Sequence, residues 1–266
     1  MTTLQSRLYR LLLEIERICK KHAIPYFLVY GTALGAVRHQ GFIPWDDDLD
    51  VAMLRPDYER FLRACQAELP SGMFLQHWTT EAHFYLPYAK ICVENTTFMS
   101  PLHAHLNIHH GIYVDIFPLD GVPESSCISR IQFVLLRCLR IMLEIRFANL
   151  PNPRLRNRLL TRWVRPLLSG KLINHLYNII ARGVSVESAS RVRNMFLVYG
   201  ERRETCDAGW FAKPVYLNFE NGSYPVPSDP DAYLRHVYGD YMVLPPFDQR
   251  KNNHATIVDL DHGTTR

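Results

Sequence analysis

The sequence lacks three features that would have decided its class at once: a CxxC pair, a long apolar run and a secretory leader. Its six cysteines are scattered without metal-ligand spacing, which excludes zinc-finger and disulfide-scaffold proteins and is typical of a reducing compartment. No run of about 18 apolar residues occurs, so no transmembrane helix is predicted. The segment after Met1 predicts an amphipathic helix rather than a signal peptide. We therefore expect a cytoplasmic protein, with the inner face of the membrane as its alternative location.

Acidic residues are nearly absent from one segment of an otherwise ordinary composition. The chain has 266 residues, of which 47% are apolar and 21% charged, which excludes disorder as the main state. Between Cys127 and Lys171 there are ten basic residues and a single acid, Glu144, giving this segment +9 and the rest of the chain −5. The basic residues are Arg130, Arg137, Arg140, Arg146, Arg154, Arg156, Arg158, Arg162, Arg165 and Lys171.

This basic segment has two interpretations. One is contact with anionic lipid headgroups or with a lipid-linked, phosphate-rich acceptor. The other is a solvated face paired with acids from the rest of the chain. The aromatic-rich basic motifs of single-strand readers are missing, so no nucleic-acid partner is expected.

Strand and helix patterns alternate through the first half of the chain, which predicts an α+β fold with a small mixed sheet. Predicted strands are Tyr26–Tyr30, Asp48–Met53, Met73–His77, Tyr85–Val93 and Gly111–Phe117. Predicted helices are Leu4–His22, Thr32–His39 and Arg55–Leu69.

After Pro118 the pattern becomes helical, which predicts a helical insertion in the second half. The predicted helices are Ser126–Phe147, Arg154–Leu168, Leu172–Ala181 and Val186–Tyr199. Pro214–Glu220 is predicted as a strand that returns to the first sheet, and Asp229–Tyr238 as a helix capped by Ser228. These patterns divide the chain into a core over 1–125, a basic helical region over 126–205 and a returning segment over 206–266.

Four carboxylates crowd five positions, at Asp46, Asp47, Asp48 and Asp50. Like charges this close repel unless a cation neutralises them. Asp48 and Asp50 lie two apart on a predicted strand, so they project to the same side, where they could hold one or two Mg²⁺ (or Mn²⁺) ions. The alternative is a solvated acidic turn.

Gly31 and Thr32 lie where a strand meets a helix, just before the acidic strand. Glycine lets a phosphate approach the backbone, the helix N-terminus supplies free N–H groups, and threonine adds a hydroxyl. Arg38 is a candidate to neutralise a diphosphate. The structural alternatives are an ordinary turn and cap, and a surface arginine.

Asp115 is an acid within the apolar strand Tyr113–Phe117, and a buried carboxylate needs a partner. We predict that it is a third metal ligand or a general base; a structural ion pair is the alternative. Lys90 is a candidate phosphate contact or a snorkelling surface lysine. Asp120 is predicted to cap a turn.

These residues also carry a family resemblance. Gly31-Thr32, Arg38-His39, the string Gly41–Asp48, Asp50 and Phe117–Asp120 resemble the signature of the LicD family of phosphotransferases. The resemblance implies a nucleotidyltransferase fold and the metal acids Asp48, Asp50 and Asp115. It also implies transfer of a phospho-linked group from a CDP-linked donor, in particular phosphocholine from CDP-choline, onto a teichoic acid, lipopolysaccharide or capsule glycan.

The resemblance extends into the C-terminal part of the chain. Glu220, Arg250 and His254 lie in matching segments there and, with Asp47, are further site candidates. Two rival functions remain open at this point. One is a nucleotidyltransferase that leaves a nucleotide monophosphate on a small molecule, and the other is a non-catalytic module in which the acids hold a structural cation.

Overall fold

A computed structural model of the chain describes residues 1–148, 169–196, 199–251 and 257–262. Its helices are α1 (Thr3–Lys21), α2 (Tyr30–His39), α3 (Arg55–Glu68), α4 (Ser126–Phe147), α5 (Gly170–Ala181), α6 (Glu201–Glu204) and α7 (Pro230–Tyr238). Its strands are β1 (Phe27–Leu28), β2 (Asp50–Leu54), β3 (Met73–Gln76), β4 (Ala89–Val93), β5 (Thr97–Met99), β6 (Tyr113–Gly121), β7 (Arg191–Asn194), β8 (Thr205–Asp207), β9 (Val215–Phe219), β10 (Gly222–Val226) and β11 (Ile257–Asp259). The α+β class is confirmed.

The central sheet of the described residues has seven strands, and β6 lies at its middle. Its main path runs β1-β2-β6-β4-β3, and β7 pairs with the far end of β6 and then with β8. The pair β2 and β6 is parallel, whereas the other pairs are antiparallel. Because β2 and β6 run side by side in the same direction, the residues at their starts lie next to each other.

The two faces of the sheet are covered by different helices. Val51 and Ile116 pack on one face with Leu11 of α1 and Phe61 of α3. Residues two apart along a strand share a face, so the other face carries Asp50 and Ala52 from β2 and Asp115 and Phe117 from β6. Ala52 and Phe117 pack there in a second core with residues of α2, α4, α5 and α7.

Helix α1 is fixed at its start by a capping box. The Thr2 hydroxyl accepts a hydrogen bond from the Gln5 backbone N–H, and the Gln5 side chain accepts one from the Thr2 N–H. These two bonds satisfy N–H groups that the helix itself cannot pair. The apolar stripe of the helix, with Leu8, Leu12 and Ile15 among its residues, is buried, as its periodicity predicts.

Three predictions about the second half were wrong. Within the predicted helix Val186–Tyr199, Arg191–Asn194 is instead strand β7, since it pairs with the far end of β6. The predicted late strand does form, at Val215–Phe219, but it pairs with β10 in a separate hairpin and not with the first sheet. Helix α7 is capped by Asp229, whose carboxylate accepts from the Ala232 N–H, and not by Ser228.

The prediction that Asp120 caps a turn was also wrong. Asp120 is buried within β6, and both of its carboxylate oxygens accept from the Arg55 guanidinium, at 2.7 and 2.5 Å. Two charges removed from water need such a bidentate pairing.

Helices α4 and α5 pack together, and both ends of α4 agree with the prediction. The predicted helix Arg154–Leu168 lies outside the described residues, and the proposed division into three regions remains a prediction. In the ranges that the structure describes, no helix is both long enough and apolar enough to cross a membrane.

Candidate active site

Charged residues form a row across the sheet face that α1 and α3 leave uncovered. Asp50 of β2 is in register with Asp115 of β6, which is in register with Lys90 of β4. Directly paired residues on neighbouring strands project to the same face. The Lys90 ammonium lies 3.2 Å from the Asp115 Oδ1, so the row places two acids beside one base.

An open cleft of about 340 Å³ lies at the Asp50 end of this row. Gly31, Arg38, Asp48 and Asp50 all line it. Leu49, Val51 and Met53, which alternate with the two aspartates, are fully buried. The alternation in the sequence therefore predicted correctly which side chains would be buried and which would be left for the cleft, although strand β2 begins only at Asp50.

The N-terminus of α2 forms one wall of the cleft. The helix begins at Tyr30, so the N–H groups of its first turn cannot be paired within the helix. The Tyr30 N–H donates to the Tyr233 hydroxyl, so the N–H groups of Gly31 and Thr32 are the ones suited to an anion. Thr32 lies beneath this wall, where its hydroxyl oxygen accepts a hydrogen bond from the Asp50 N–H at 2.8 Å. The threonine thus ties the helix start to the aspartate.

The acidic loop before β2 is held from two sides. The Gln5 side-chain amide donates to the carbonyl oxygens of Ile43 and Asp46, at 3.3 and 3.0 Å. At Gly31, a Cβ atom would lie 3.0 Å from Asp46 Oδ2, which is closer than side chains normally pack. Glycine at position 31 therefore lets the acidic loop approach the start of α2.

Two arginines lie near the rim of the cleft. Arg38 donates from Nη1 to the Tyr241 carbonyl oxygen at 2.7 Å, and Arg250 places its guanidinium 5.2 Å from the centre of the Trp45 ring. Partial burial, and then repulsion from Arg250, lowers the pKa of Arg38. The sequence proposed both arginines as site residues, and the structure brings them together.

Lys90 and Asp115 are not among the residues that line the cleft, although they lie directly beside it. Lys90 is buried, and its ammonium stands 3.1 Å from the centre of the Tyr113 ring. Burial lowers the pKa of Lys90, but the attraction of the Asp115 carboxylate, together with Tyr113 and Cys92, outweighs it, so that this pKa is raised. The structure thus places Lys90 to hold Asp115, and not at the phosphate wall.

Two other candidates do not line the cleft, and a third is not among the described residues. Glu220 accepts from the Phe42 N–H at 3.0 Å and donates its own N–H to the Gln40 carbonyl oxygen, so it clamps the turn that leads from α2 to the acidic loop. Asp47 is buried and is not among the lining residues. His254 lies outside the described residues.

The fit of a divalent cation can be judged from the charge around Asp50. Burial raises the pKa of the Asp50 carboxyl well above its ordinary value, and repulsion from Asp48, Asp115 and Asp46 raises it further, whereas Lys90 lowers it. A carboxylate in this setting is stabilised by a nearby cation. Carboxylate oxygens are also the ligands that Mg²⁺ prefers, so Asp48 and Asp50 fit such an ion.

No group of three or more histidine, cysteine or acidic side chains in the described part of the chain is arranged to hold a metal ion. A cation at Asp48 and Asp50 would therefore need further oxygens from a phosphate group or from water, as Mg²⁺ at phosphate-transfer sites usually does. The role of Asp115 as a third ligand stays a prediction, because its carboxylate contacts Lys90.

A second group of lining residues, which we call the aromatic wall, was not assigned by sequence reasoning. It is aromatic and acidic, and comprises Trp45, Tyr199, Tyr238, Asp240 and Tyr241. Tyr199 and Tyr238 meet edge to face, with ring centroids 5.8 Å apart. The run Tyr238–Tyr241 belongs to the family resemblance, which was the one signal that could have drawn attention to it.

Comparison with known proteins agrees with this geometry. Residues 23–130 match the family model described as LicD/FKTN/FKRP, nucleotidyltransferase domain. The lipopolysaccharide cholinephosphotransferase LicD of Haemophilus influenzae is 28% identical over 253 residues, which cover 89% of each chain.

Two relatives from Rickettsia share only part of their length with this chain. An uncharacterised protein of Rickettsia prowazekii is 48% identical over 44% of this chain and 40% of its own. One of Rickettsia typhi is 33% identical over 45% of this chain and 36% of its own. The family match spans β1, α2, the acidic loop, β2 and β6. Over residues 23–130 the chain is therefore similar to the nucleotidyltransferase domain of the LicD/FKTN/FKRP family, which confirms the resemblance seen in the motif.

Proposed function

We propose that this protein is a metal-dependent transferase that moves phosphocholine from CDP-choline onto a cell-surface glycan. The observation that carries the proposal is the meeting of Asp48, Asp50, Gly31 and Arg38 in one cleft. The relative that matches along most of both chains is a lipopolysaccharide cholinephosphotransferase, which supports phosphocholine as the group and lipopolysaccharide as the acceptor class.

The residues of the cleft divide the work of holding the donor. Asp48 and Asp50 would hold Mg²⁺ or Mn²⁺, which neutralises diphosphate charge and polarises the phosphoryl oxygens. The N–H groups at the start of α2 receive a phosphate oxygen, and the Thr32 hydroxyl, which accepts from Asp50, keeps its own proton for donation. The Arg38 guanidinium offers a charge-assisted hydrogen bond to the same anion.

The chemical step is an in-line displacement at the phosphorus that bears choline. An acceptor hydroxyl oxygen forms the new P–O bond, the bond from that phosphorus to the bridging oxygen breaks, and CMP departs with the electron pair. Asp115 is our candidate to take the hydroxyl proton, directly or through water. Lys90, at 3.2 Å, compensates the charge of Asp115 and fixes its orientation.

The aromatic wall supports choline as the transferred group. Quaternary ammonium groups bind over the faces of tyrosine and tryptophan rings, whose negative faces attract a cation. Trp45, Tyr199, Tyr238 and Tyr241 supply such rings, and Asp240 adds a negative charge beside them. An uncharged polyol such as ribitol gains nothing from this attraction.

The decisive experiment measures CMP release from CDP-choline, CDP-ribitol and CDP-ethanolamine, each with and without Mg²⁺ and with a lipopolysaccharide acceptor. We expect release from CDP-choline that depends on the metal ion and on the acceptor. Asp57→Asn is a matched control, because Asp57 pairs with Arg60 on the surface helix α3. Full activity of Asp48→Asn would refute the proposal.

A second function shares the same acids. The domain is described by its family model as a nucleotidyltransferase, and such an enzyme leaves a nucleotide monophosphate on its product. The reactions differ in what leaves, since CMP release marks phosphocholine transfer and pyrophosphate release from a nucleoside triphosphate marks the alternative. One assay that follows both products separates them.

A further inference from the structure

Helices α4 and α5 expose an apolar surface that no other described residue covers. Eight apolar side chains on these helices are 40% to 57% exposed. We call this set the outer face of α4 and α5. Its members are Ile128, Ile131, Val134, Leu135, Ile141, Leu172, Leu176 and Ile179. Single exposed apolar residues are common, whereas a contiguous group on two packed helices marks an interaction surface.

The outer face is distinct from the faces by which α4 and α5 pack on each other. The inner faces of both helices are already packed, with Phe133 and Leu136 of α4 against Tyr177 of α5. The Gln132 side-chain amide donates to the Ile180 carbonyl oxygen, which locks the two helices together. The outward residues lie on the opposite side, where no other described residue packs on them.

The exposed charged residues of these helices indicate the charge of a partner that would bind this face. The exposed charged residues of α4 and α5 are Arg130, Arg137 and Lys171, and no acid is exposed on either helix. The acid Glu144 is only half-exposed and pairs with Arg140 at 3.2 Å. Arg130 pairs with Glu201, which leaves Arg137 and Lys171 as the outward charges.

A comparison with a solvated helix shows how unusual this surface is. Helix α1 also exposes an apolar side chain, Leu13, but surrounds it with charges of both signs, such as Glu14 paired with Arg17 at 2.6 Å. Mixed charge is the normal state of a helix face in water. On α4 and α5, in contrast, the exposed charged residues are all bases, and apolar side chains beside exposed bases match an acyl layer beneath anionic headgroups.

We infer that the outer face of α4 and α5 seats the protein on an anionic lipid bilayer. The isoleucine and leucine side chains enter the boundary between headgroups and acyl chains, and Arg137 and Lys171 contact the phosphates. The proposal does not depend on the enzymatic reaction. It would explain how an enzyme of this kind meets an acceptor that is anchored in lipid.

The test measures sedimentation of the full chain with vesicles of phosphatidylcholine alone and of phosphatidylcholine with phosphatidylglycerol. We expect binding to the anionic vesicles that weakens with salt. The double variant Ile131→Glu/Leu176→Glu should reduce the partition coefficient by at least about tenfold, because each change puts a carboxylate where an apolar group met lipid. Arg137→Glu should weaken binding to anionic vesicles only.

Leu13→Glu is the matched control, since it adds the same charge at an equally exposed leucine of α1, and it should bind like the parent protein. Circular dichroism and thermal melting show that each variant is folded. Equal binding of the double variant and the control would overturn the proposal. So would a concentration-dependent dimer that the double variant abolishes, since the face would then join two copies. Because no readout uses a nucleotide, these results are independent of the proposed transfer reaction.

Discussion

The cleft and the outer face of α4 and α5 are opposite in charge, and the sequence indicated the role of the cleft more clearly than that of the outer face. Around the cleft, Asp46, Asp47, Asp48 and Asp50 fall within five positions, whereas the segment from Cys127 to Lys171 has one acid among ten bases. The acidic cluster lies beside a helix N-terminus and is suited to a cation and a phosphate. The basic surface is apolar as well and is suited to lipid. The two proposals thus assign a small ionic donor and a large acceptor surface to separate places on one chain.

The largest effect that tests this division is the loss of activity on removing one acid from the cleft. Asp48→Asn should lower metal-dependent turnover by about a thousandfold, because a carboxylate that neutralises transition-state charge through a metal ion is lost. Steady-state CMP release with CDP-choline measures it. Binding to anionic vesicles should stay unchanged, and a parallel loss of both would show that the two regions are not separate.

A second prediction concerns an acid of the same sheet that has the opposite role. Asp120→Asn should destabilise the protein by about 3–5 kcal/mol, because the Arg55 guanidinium would stay buried without its counter-charge. Asp50→Asn should instead stabilise the metal-free protein, since it removes a buried charge that its neighbours repel. Urea unfolding of both variants without metal measures the contrast, and destabilisation by Asp50→Asn would mean that this acid is a structural one.

The sequence predicted the cleft well because its signals are local. Alternation over two residues determined which side of β2 Asp50 occupies, and a glycine before a helix marked the place where the acidic loop approaches. Neither signal requires knowledge of distant residues. The sequence does not show that Asp50 is in register with Asp115, because that register depends on β2 and β6 lying side by side in parallel.

The three errors below have a common cause: the sequence of a segment does not show which partner it pairs with, whether that partner is distant or adjacent. The residues around Arg191–Asn194 have a helical pattern, but Arg191–Asn194 pairs with the far end of β6 and is therefore a strand. Val215–Phe219 was correctly predicted as a strand, but its predicted partner was wrong. It forms a hairpin with the adjacent strand Gly222–Val226 and does not join the first sheet. Asp120 was misjudged because its partner, Arg55, is 65 positions away.

A smaller effect should separate recognition of the donor from catalysis. Tyr238→Leu should reduce kcat/KM for CDP-choline by about tenfold, since a ring that attracts the quaternary ammonium is lost, and should change the rate with CDP-ribitol much less. Competition between the two donors measures the ratio. Trp210→Leu is a suitable control, because Trp210 contacts Tyr233 at the edge of the second core rather than lining the cleft. An equal loss for both donors would assign Tyr238 to folding or to nucleotide binding.

The smallest effect concerns a buried histidine near the C-terminal end of α4. His103 Nε2 is hydrogen-bonded to the Tyr85 hydroxyl at 2.8 Å, and the Tyr85 ring stacks on Phe147 at the end of α4. Burial, with repulsion from Lys90 and the neighbouring histidines, lowers the pKa of His103 to about 4, whereas an unfolded histidine titrates near about 6.5.

Between these two values the unfolded chain binds more protons at this position, so the contribution of His103 to stability falls as the pH is lowered from about 6.5 towards 4. His103→Gln keeps a polar partner for Tyr85 but cannot titrate, and should therefore flatten the decrease of the melting temperature over this range. His262→Gln is the control, because that histidine is exposed. If His103→Gln and the control lose stability along the same curve, the junction between the sheet and α4 does not respond to pH through His103.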